Sequence, residues 1–168
     1  MKLTPDKVYD CYQSLTPKIL QKEGITALLL DVDNTLAPYE QPTPDAPLLA
    51  WISQMQASGI RLAIVSNNSG ERIHRFAKDL GLPVFPKAKK PLPRSFRLAM
   101  QTLSVSPAVT ACLGDQIFTD ILAGKWAKLK RTYLVPPIHD KKDCFTRLKR
   151  VLEKPVMKKY WRKHKNDG

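Results

Sequence analysis

Three apolar runs in this chain stop abruptly at acidic or hydrogen-bonding residues, and that arrangement constrains the fold more than any other feature. Ile25-Thr26-Ala27-Leu28-Leu29-Leu30 gives way to Asp31-Val32-Asp33, Ile60 to Val65 to Ser66-Asn67, and Val109 to Leu113 to Gly114-Asp115. Runs that do not alternate with polar residues suit strands covered on both faces. Between them lie segments of helical length, about 47–58 ending at Gly59, 70–80 stopping at Gly81, 93–103 and 119–128. Shorter strands are expected near 83–85 and 131–135. Strands alternating with such helices predict an α/β fold, a mainly parallel sheet with right-handed crossovers. Sheets of this kind bind ligands at the carboxyl ends of their strands, where the polar residues are concentrated.

The rest of the chain is less regular. Val8, Tyr12, Leu15 and Ile19 have roughly helical spacing interrupted by Pro17, so one or two short helices are expected at the start. Pro38, Pro42, Pro44 and Pro47 mark a loop after the first long strand. With 168 residues, 43% hydrophobic and 26% charged, the chain fits a single globular domain, taken as 1–153, followed by a basic tail, 154–168. No apolar run approaches the roughly 20 residues that cross a bilayer, and Met1 to Asp6 lead into polar sequence without a signal-like core. The expected compartment is the cytoplasm.

Two carboxylates at i and i+2 beyond a strand end can share a pocket where the chain turns. One is then placed to attack phosphorus and the other to handle the leaving-group proton. Asp115, from another strand, completes a hard oxygen site suited to Mg²⁺. Ser66 and the amide of Asn67 offer donors to a phosphoryl group, and Lys90 offers positive charge where the transition state is anionic. Each residue taken singly has a structural reading. The Asp pair can form a turn, Ser66 to Gly70 can cap a helix, and Lys87, Lys89 and Lys90 can be a solvated corner. Asp115 and Asp120 can be a turn residue and a first-turn helix acid. Those readings weaken together, because the polar residues recur at successive strand ends.

Asp31-Val32-Asp33-Asn34-Thr35-Leu36, Ser66-Asn67, Lys90-Pro91 and Gly114-Asp115-Gln116-Ile117-Phe118-Thr119-Asp120 resemble, in order, the four motifs of the haloacid dehalogenase (HAD) superfamily. Leu3-Thr4-Pro5, Val65-Ser66-Asn67-Asn68, Lys87-Ala88-Lys89-Lys90-Pro91 and Gly114-Asp115-Gln116 extend the likeness to the YqeG-type phosphatases of subfamily IIIA, over about residues 1–153. That group is related to the mitochondrial phosphatase acting on phosphatidylglycerophosphate. The resemblance implies a HAD-like Rossmannoid three-layer fold and a Mg²⁺-dependent phosphomonoesterase working through an aspartyl-phosphate. It makes Asp31 the nucleophile and Asp33 the acid and base. It assigns the metal to Asp31, Asp115 and the main-chain carbonyl of Asp33, with Asp120 supporting the metal shell or orienting Lys90. Lys87 or Lys89 remains an alternative to Lys90. Only 32 residues (34–65) separate Asp33 from Ser66, and 23 (67–89) separate Ser66 from Lys90. Neither interval has room for a cap domain, so an open site is expected.

A net charge of +13 points to an anionic partner: a phosphorylated substrate, an anionic membrane surface or nucleic acid. Phe145, Leu148, Val151 and Leu152 form a stripe expected to pack on the domain. Val156, Met157, Tyr160 and Trp161 form a second stripe beyond Pro155, flanked by Lys and Arg. A basic helix with Tyr and Trp suits an anionic headgroup layer, so peripheral attachment to the inner face of the membrane is the favoured partner reading. Base stacking by the same aromatics keeps an RNA- or ribosome-associated role open as an alternative. A soluble phosphate ester (nucleotide, sugar phosphate or phosphoprotein) is the alternative to a lipid head group. Cys11, Cys112 and Cys144 form no CxxC pair. Cys144 and Arg150 have the C-x5-R spacing of cysteine phosphatases. The residues between them lack the glycines that let a loop's amides converge.

Overall fold

The structure, a computed structural model, describes residues 3–139 and 144–164. Six strands form one all-parallel sheet in the order β1-β6-β5-β2-β3-β4. They are β1 (Lys7–Val8), β2 (Ala27–Leu30), β3 (Arg61–Val65), β4 (Val84–Phe85), β5 (Thr110–Gly114) and β6 (Arg131–Leu134). The helices are α1 (Pro17–Lys22), α2 (Ala46–Ala57), α3 (Gly70–Ala77), α4 (Arg94–Thr102), α5 (Leu122–Trp126) and α6 (Cys144–His164).

The apolar runs sit in the middle of the sheet because both of its faces are covered. In β2, Leu28 and Leu30 face a core completed by Leu20 of α1, Leu48, Ile52 and Met55 of α2, and Ile73 and Phe76 of α3. Leu29 faces the opposite core, against Phe96, Ala99 and Met100 of α4 and Ala123 of α5. The pleat sends alternate side chains to opposite faces, and the result is a three-layer α/β/α sandwich. Each such leucine contributes about 1.5–3 kcal/mol of burial. α2 starts where the Asp45 side chain accepts the Leu48 N–H at 3.0 Å, with Pro47 in the first turn.

Chain order runs outward from β2 through β3 to β4, then returns to β5 on the other side of β2. The switch in direction therefore lies between β2 and β5, the strands that end at Asp31 and Asp115. The intervals 34–65 and 67–89 each carry one helix and one strand, so no cap stands over this edge.

The start and the end of the chain depart from expectation. Val8 belongs to a strand, not a helix: β1 pairs with β6 through Lys7–Tyr133 and Val8–Leu134. Two residues are too few for a periodic signal, and the strand exists because the edge of β6 accepts it. At the other end α6 runs through Pro155 and across the expected boundary at 153/154. Tyr160 is buried and its hydroxyl accepts the Val8 N–H at 3.2 Å. Val156 and Met157 pack on Ile117, Ile121 and Leu134. Val151 and Leu152, expected to pack, are exposed, because the buried side of α6 is set by Glu153, Val156 and Tyr160. The side chains of 144–150, including Phe145, Leu148 and the Cys144/Arg150 pair, lie outside the described residues.

Candidate active site

Beyond β2 the backbone turns back on itself within four residues. The Asp31 N–H still donates to Leu113 of β5 at 3.0 Å, after which the N–H groups of Thr35, Leu36 and Ala37 all converge on the Val32 carbonyl. Asn34 takes a positive φ of 62°, a conformation that asparagine tolerates better than most side chains. The turn brings the Thr35 hydroxyl under the acid, where it donates to Asp31 Oδ2 at 2.8 Å and lies 3.5 Å from Asp115 Oδ1.

Of the three candidate lysines, Lys90 enters the site. Its side chain is 2% exposed, and all three ammonium protons are taken: by Asp31 Oδ1 at 2.7 Å, Asp120 Oδ1 at 2.6 Å and the Val65 carbonyl at 2.8 Å. Lys87 and Lys89 lie in the preceding turn, both at positive φ. Asn67 holds Lys90 from the main chain, accepting its N–H at 2.7 Å and donating to its carbonyl at 3.2 Å. The side-chain amide expected to serve a phosphoryl group is thus engaged in fixing the lysine. Ser66 is buried, and its hydroxyl accepts the Asn68 N–H at 3.1 Å, leaving its own proton to donate.

Asp120 reaches the cluster from a π-helical turn, Ile117–Ile121. Its second oxygen accepts from Gln116 N–H and Thr119 Oγ1, each at 3.2 Å. Gly114 makes room for it, since a Cβ there would lie 2.3 Å from the Asp120 carboxyl carbon. The same turn is held from outside by Glu153 of α6, which accepts the Ile117 N–H at 2.7 Å.

Asp31, Asp115 and Asp120 each offer an oxygen within 4.8 Å of the others, and all three are buried. Asp31 and Asp120 share the Lys90 ammonium there, and Asp115 brings a third buried carboxylate to the same edge. The Asp31 carboxyl is pushed up to about 6, chiefly by burial; Lys90 opposes the rise, and Asp120 and Asp33 add to it. Burial alone would lower Lys90, but Asp120 and Asp31 outweigh it and hold the ammonium above the usual lysine range. Three carboxylates within reach of one another make an all-oxygen donor set, which fits Mg²⁺.

Asp33 does not point its carboxylate into that cluster. One oxygen accepts from Arg72 at 2.5 Å and the other from Asn68 Nδ2 at 3.0 Å. Arg72, on α3, also donates to the Pro38 and Gln41 carbonyls and lies 4.7 Å over the Tyr39 ring. The sequence offers no sign of Arg72: an arginine in the first turns of a helix, 39 residues from Asp33, has no motif. A cavity of about 320 Å³ opens at this edge, lined by Asp31, Asp33, Ser66, Asn68, Lys90 and Asp120 among others, with Tyr39 on its rim.

Comparison with known proteins bears on the family and the fold. A family model described as haloacid dehalogenase-like hydrolase matches residues 9–128. The chain is 31% identical, over 159 residues, to "Probable phosphatase YqeG" of Bacillus subtilis (strain 168), covering 95% of this chain and 92% of that protein. Among solved structures, cobalt-bound deoxy-D-mannose-octulosonate 8-phosphate phosphatase of Haemophilus influenzae superposes with a TM-score of 0.54 at 19% identity, over 67% of this chain and 69% of the other. CbbY of Rhodobacter sphaeroides, in complex with phosphate, gives 0.55 at 18% identity, over 72% and 90%. At these identities the structures speak for the fold.

Proposed function

The chain belongs to the haloacid dehalogenase-like hydrolases and is a phosphatase of that family, and from that premise we propose that Asp31 attacks the phosphorus of a phosphate monoester presented at this open edge. The observation that carries the reading is the buried cluster of Asp31, Asp115 and Asp120 around Lys90, at the point where strand order reverses. As a bond forms between Asp31 and phosphorus, the bond to the leaving oxygen breaks, and Asp33 supplies the proton that leaves with it. Asp33 then takes a proton from water, the hydroxide attacks phosphorus, and Asp31 is released with inorganic phosphate. Lys90 holds Asp31 in place and offsets charge on the phosphoryl oxygens, and the Ser66 hydroxyl donates to one of them.

Mg²⁺ would be held by the carboxylates of Asp31 and Asp115 and the main-chain carbonyl of Asp33, with Asp120 beside it. Bound there, it would neutralise the phosphoryl charge so that an anionic nucleophile can approach. Thr35 keeps the second oxygen of Asp31 oriented while this happens.

The substrate we favour is phosphatidylglycerophosphate, met at an anionic membrane surface. Two features support it. No cap encloses the site, and the outward side of α6 carries exposed Lys154, Lys158, Lys159, Arg162, Lys163 and Trp161. No helix among the described residues is long and apolar enough to cross a membrane, so attachment would be peripheral. A soluble phosphate ester is the second reading, favoured by the polar lining of the cavity, where Tyr39 is the one aromatic among the described lining residues. Phosphate release from phosphatidylglycerophosphate in phosphatidylglycerol vesicles, compared with soluble esters, separates the two. Release that needs Mg²⁺ and Asp31, and that exceeds release from soluble esters, supports the lipid; fast turnover of a soluble ester with none of the lipid overturns it.

A further inference from the structure

We infer that Arg72 is a positioning residue for proton transfer, holding the Asp33 carboxyl in the orientation from which it protonates the leaving group. The inference rests on the proposed acid role of Asp33 and adds the residue that makes that role geometrically possible.

A carboxyl at the rim of an open cavity is free to rotate unless both oxygens are held. Here Arg72 takes Oδ1 at 2.5 Å with a charged donor, and Asn68 takes Oδ2 at 3.0 Å with a neutral one. The charge-assisted bond is the stronger, so Oδ1 is the anchored oxygen and Oδ2 is left to carry the transferred proton. Arg72 is itself fixed. It sits on the first turns of α3, whose Ile73 and Phe76 are fully buried in the core. Its guanidinium also bonds the carbonyls of Gln41 at 3.1 Å and Pro38 at 3.4 Å, and rests on Tyr39, which lines the cavity. Arg72 therefore ties the acid to the loop that walls the site. Its side chain remains 17% exposed, and its Nε is buried with no partner among the described residues.

In the first step the bond from phosphorus to the leaving oxygen breaks as the bond to Asp31 forms, and the proton passes from Asp33 Oδ2 to the leaving oxygen. Loss of Arg72 should then harm substrates in proportion to how much their leaving group needs that proton. The test measures pre-steady-state release of the alcohol from 4-nitrophenyl, phenyl and benzyl phosphate, with Mg²⁺, for wild type, Arg72→Ala, Arg72→Lys and Asp33→Asn. The expected result for Arg72→Ala is a loss of about tenfold to a hundredfold on benzyl phosphate and about threefold or less on 4-nitrophenyl phosphate, a part of what an acid group supplies. Arg72→Lys should fall between, and millimolar guanidinium should restore part of the benzyl phosphate rate to Arg72→Ala. Equal losses on all three esters without guanidinium rescue, while Asp33→Asn does discriminate among them, would overturn the positioning role alone. If Asp33→Asn shows no leaving-group dependence either, the acid role of Asp33 falls first and takes this inference with it.

Discussion

The two ends of the sheet use the same residue types to opposite effect. At the amino end, Glu23 accepts from Lys7, from Arg131 at 2.9 Å and from the Tyr133 hydroxyl at 3.2 Å. Asp6, the residue before Lys7, accepts from Lys125, Thr132 N–H and Thr132 Oγ1 within 2.8 Å. Each acid there has its cation, and Lys7 and Arg131 stay 50% and 41% exposed. At the carboxyl end, buried Asp31 and Asp120 share Lys90, whose side chain is 2% exposed, and the Asp115 carboxylate lies within 4.8 Å of theirs. Burial alone would raise the Glu23 carboxyl, but its bonds to Lys7 and Arg131 outweigh that and hold it below the usual range. Asp31 is instead pushed up to about 6. Charge balance, more than residue type, separates the end that stabilises the fold from the end fitted for chemistry.

The contrast breaks most readily at the nucleophile. Asp31→Asn should reduce phosphate release by at least about a thousandfold. It should leave the melting temperature in EDTA unchanged or higher, since it removes a carboxylate whose charged form burial disfavours. A large drop in melting temperature would mean that Asp31 is structural. Next in size, Lys90→Met should cost about 3–5 kcal/mol of stability, because it strands buried carboxylates. Lys7→Met, at the other end, should cost no more than about 1 kcal/mol. Urea unfolding of the pair would show whether the two ends differ as described.

Mg²⁺ at a hundred times its dissociation constant should stabilise the wild type by about 2.7 kcal/mol. Asp115→Asn should lose most of that increment, and Glu23→Gln should keep it, by thermal unfolding with and without the ion. The smallest effect is at Glu23 itself. A carboxyl held below its ordinary value contributes stability that is present above that value and lost as pH falls through the lower folded one. Glu23→Gln should therefore cost about 1 kcal/mol at pH 7, a difference that shrinks as pH falls below the ordinary glutamate value of about 4.3 and is gone once pH passes the lower folded one. A difference that persists into acid would assign the effect to packing.

The central strands and the acids at their ends were legible because burial on both faces leaves an unbroken apolar run, and the break in the run marks the edge where ligands bind. β2, β3 and β5 lie within about two residues of expectation, and Asp31, Lys90, Asp115 and Asp120 meet as the order of the motifs implied. What was illegible depends on contacts between distant segments. β1 exists only because β6 offers an edge. Asn67 is committed to the Lys90 backbone, 23 residues away. Arg72 finds Asp33 only after α3 has packed on the sheet. In α6 the apolar residues Val151 and Leu152 face outward, while Glu153 turns inward for a hydrogen bond that no hydropathy pattern shows.

The role of Asp31 is tested most directly by quenching the enzyme during turnover of 4-nitrophenyl phosphate or phosphatidylglycerophosphate with borohydride, followed by peptide mass spectrometry. An aspartyl-phosphate is reduced to homoserine, so the modification should fall on residue 31, require both Mg²⁺ and substrate, and increase when Asp33→Asn slows hydrolysis of the intermediate. Homoserine at Asp115 or Asp120, or turnover with no reduced residue at all, would contradict Asp31 as the nucleophile.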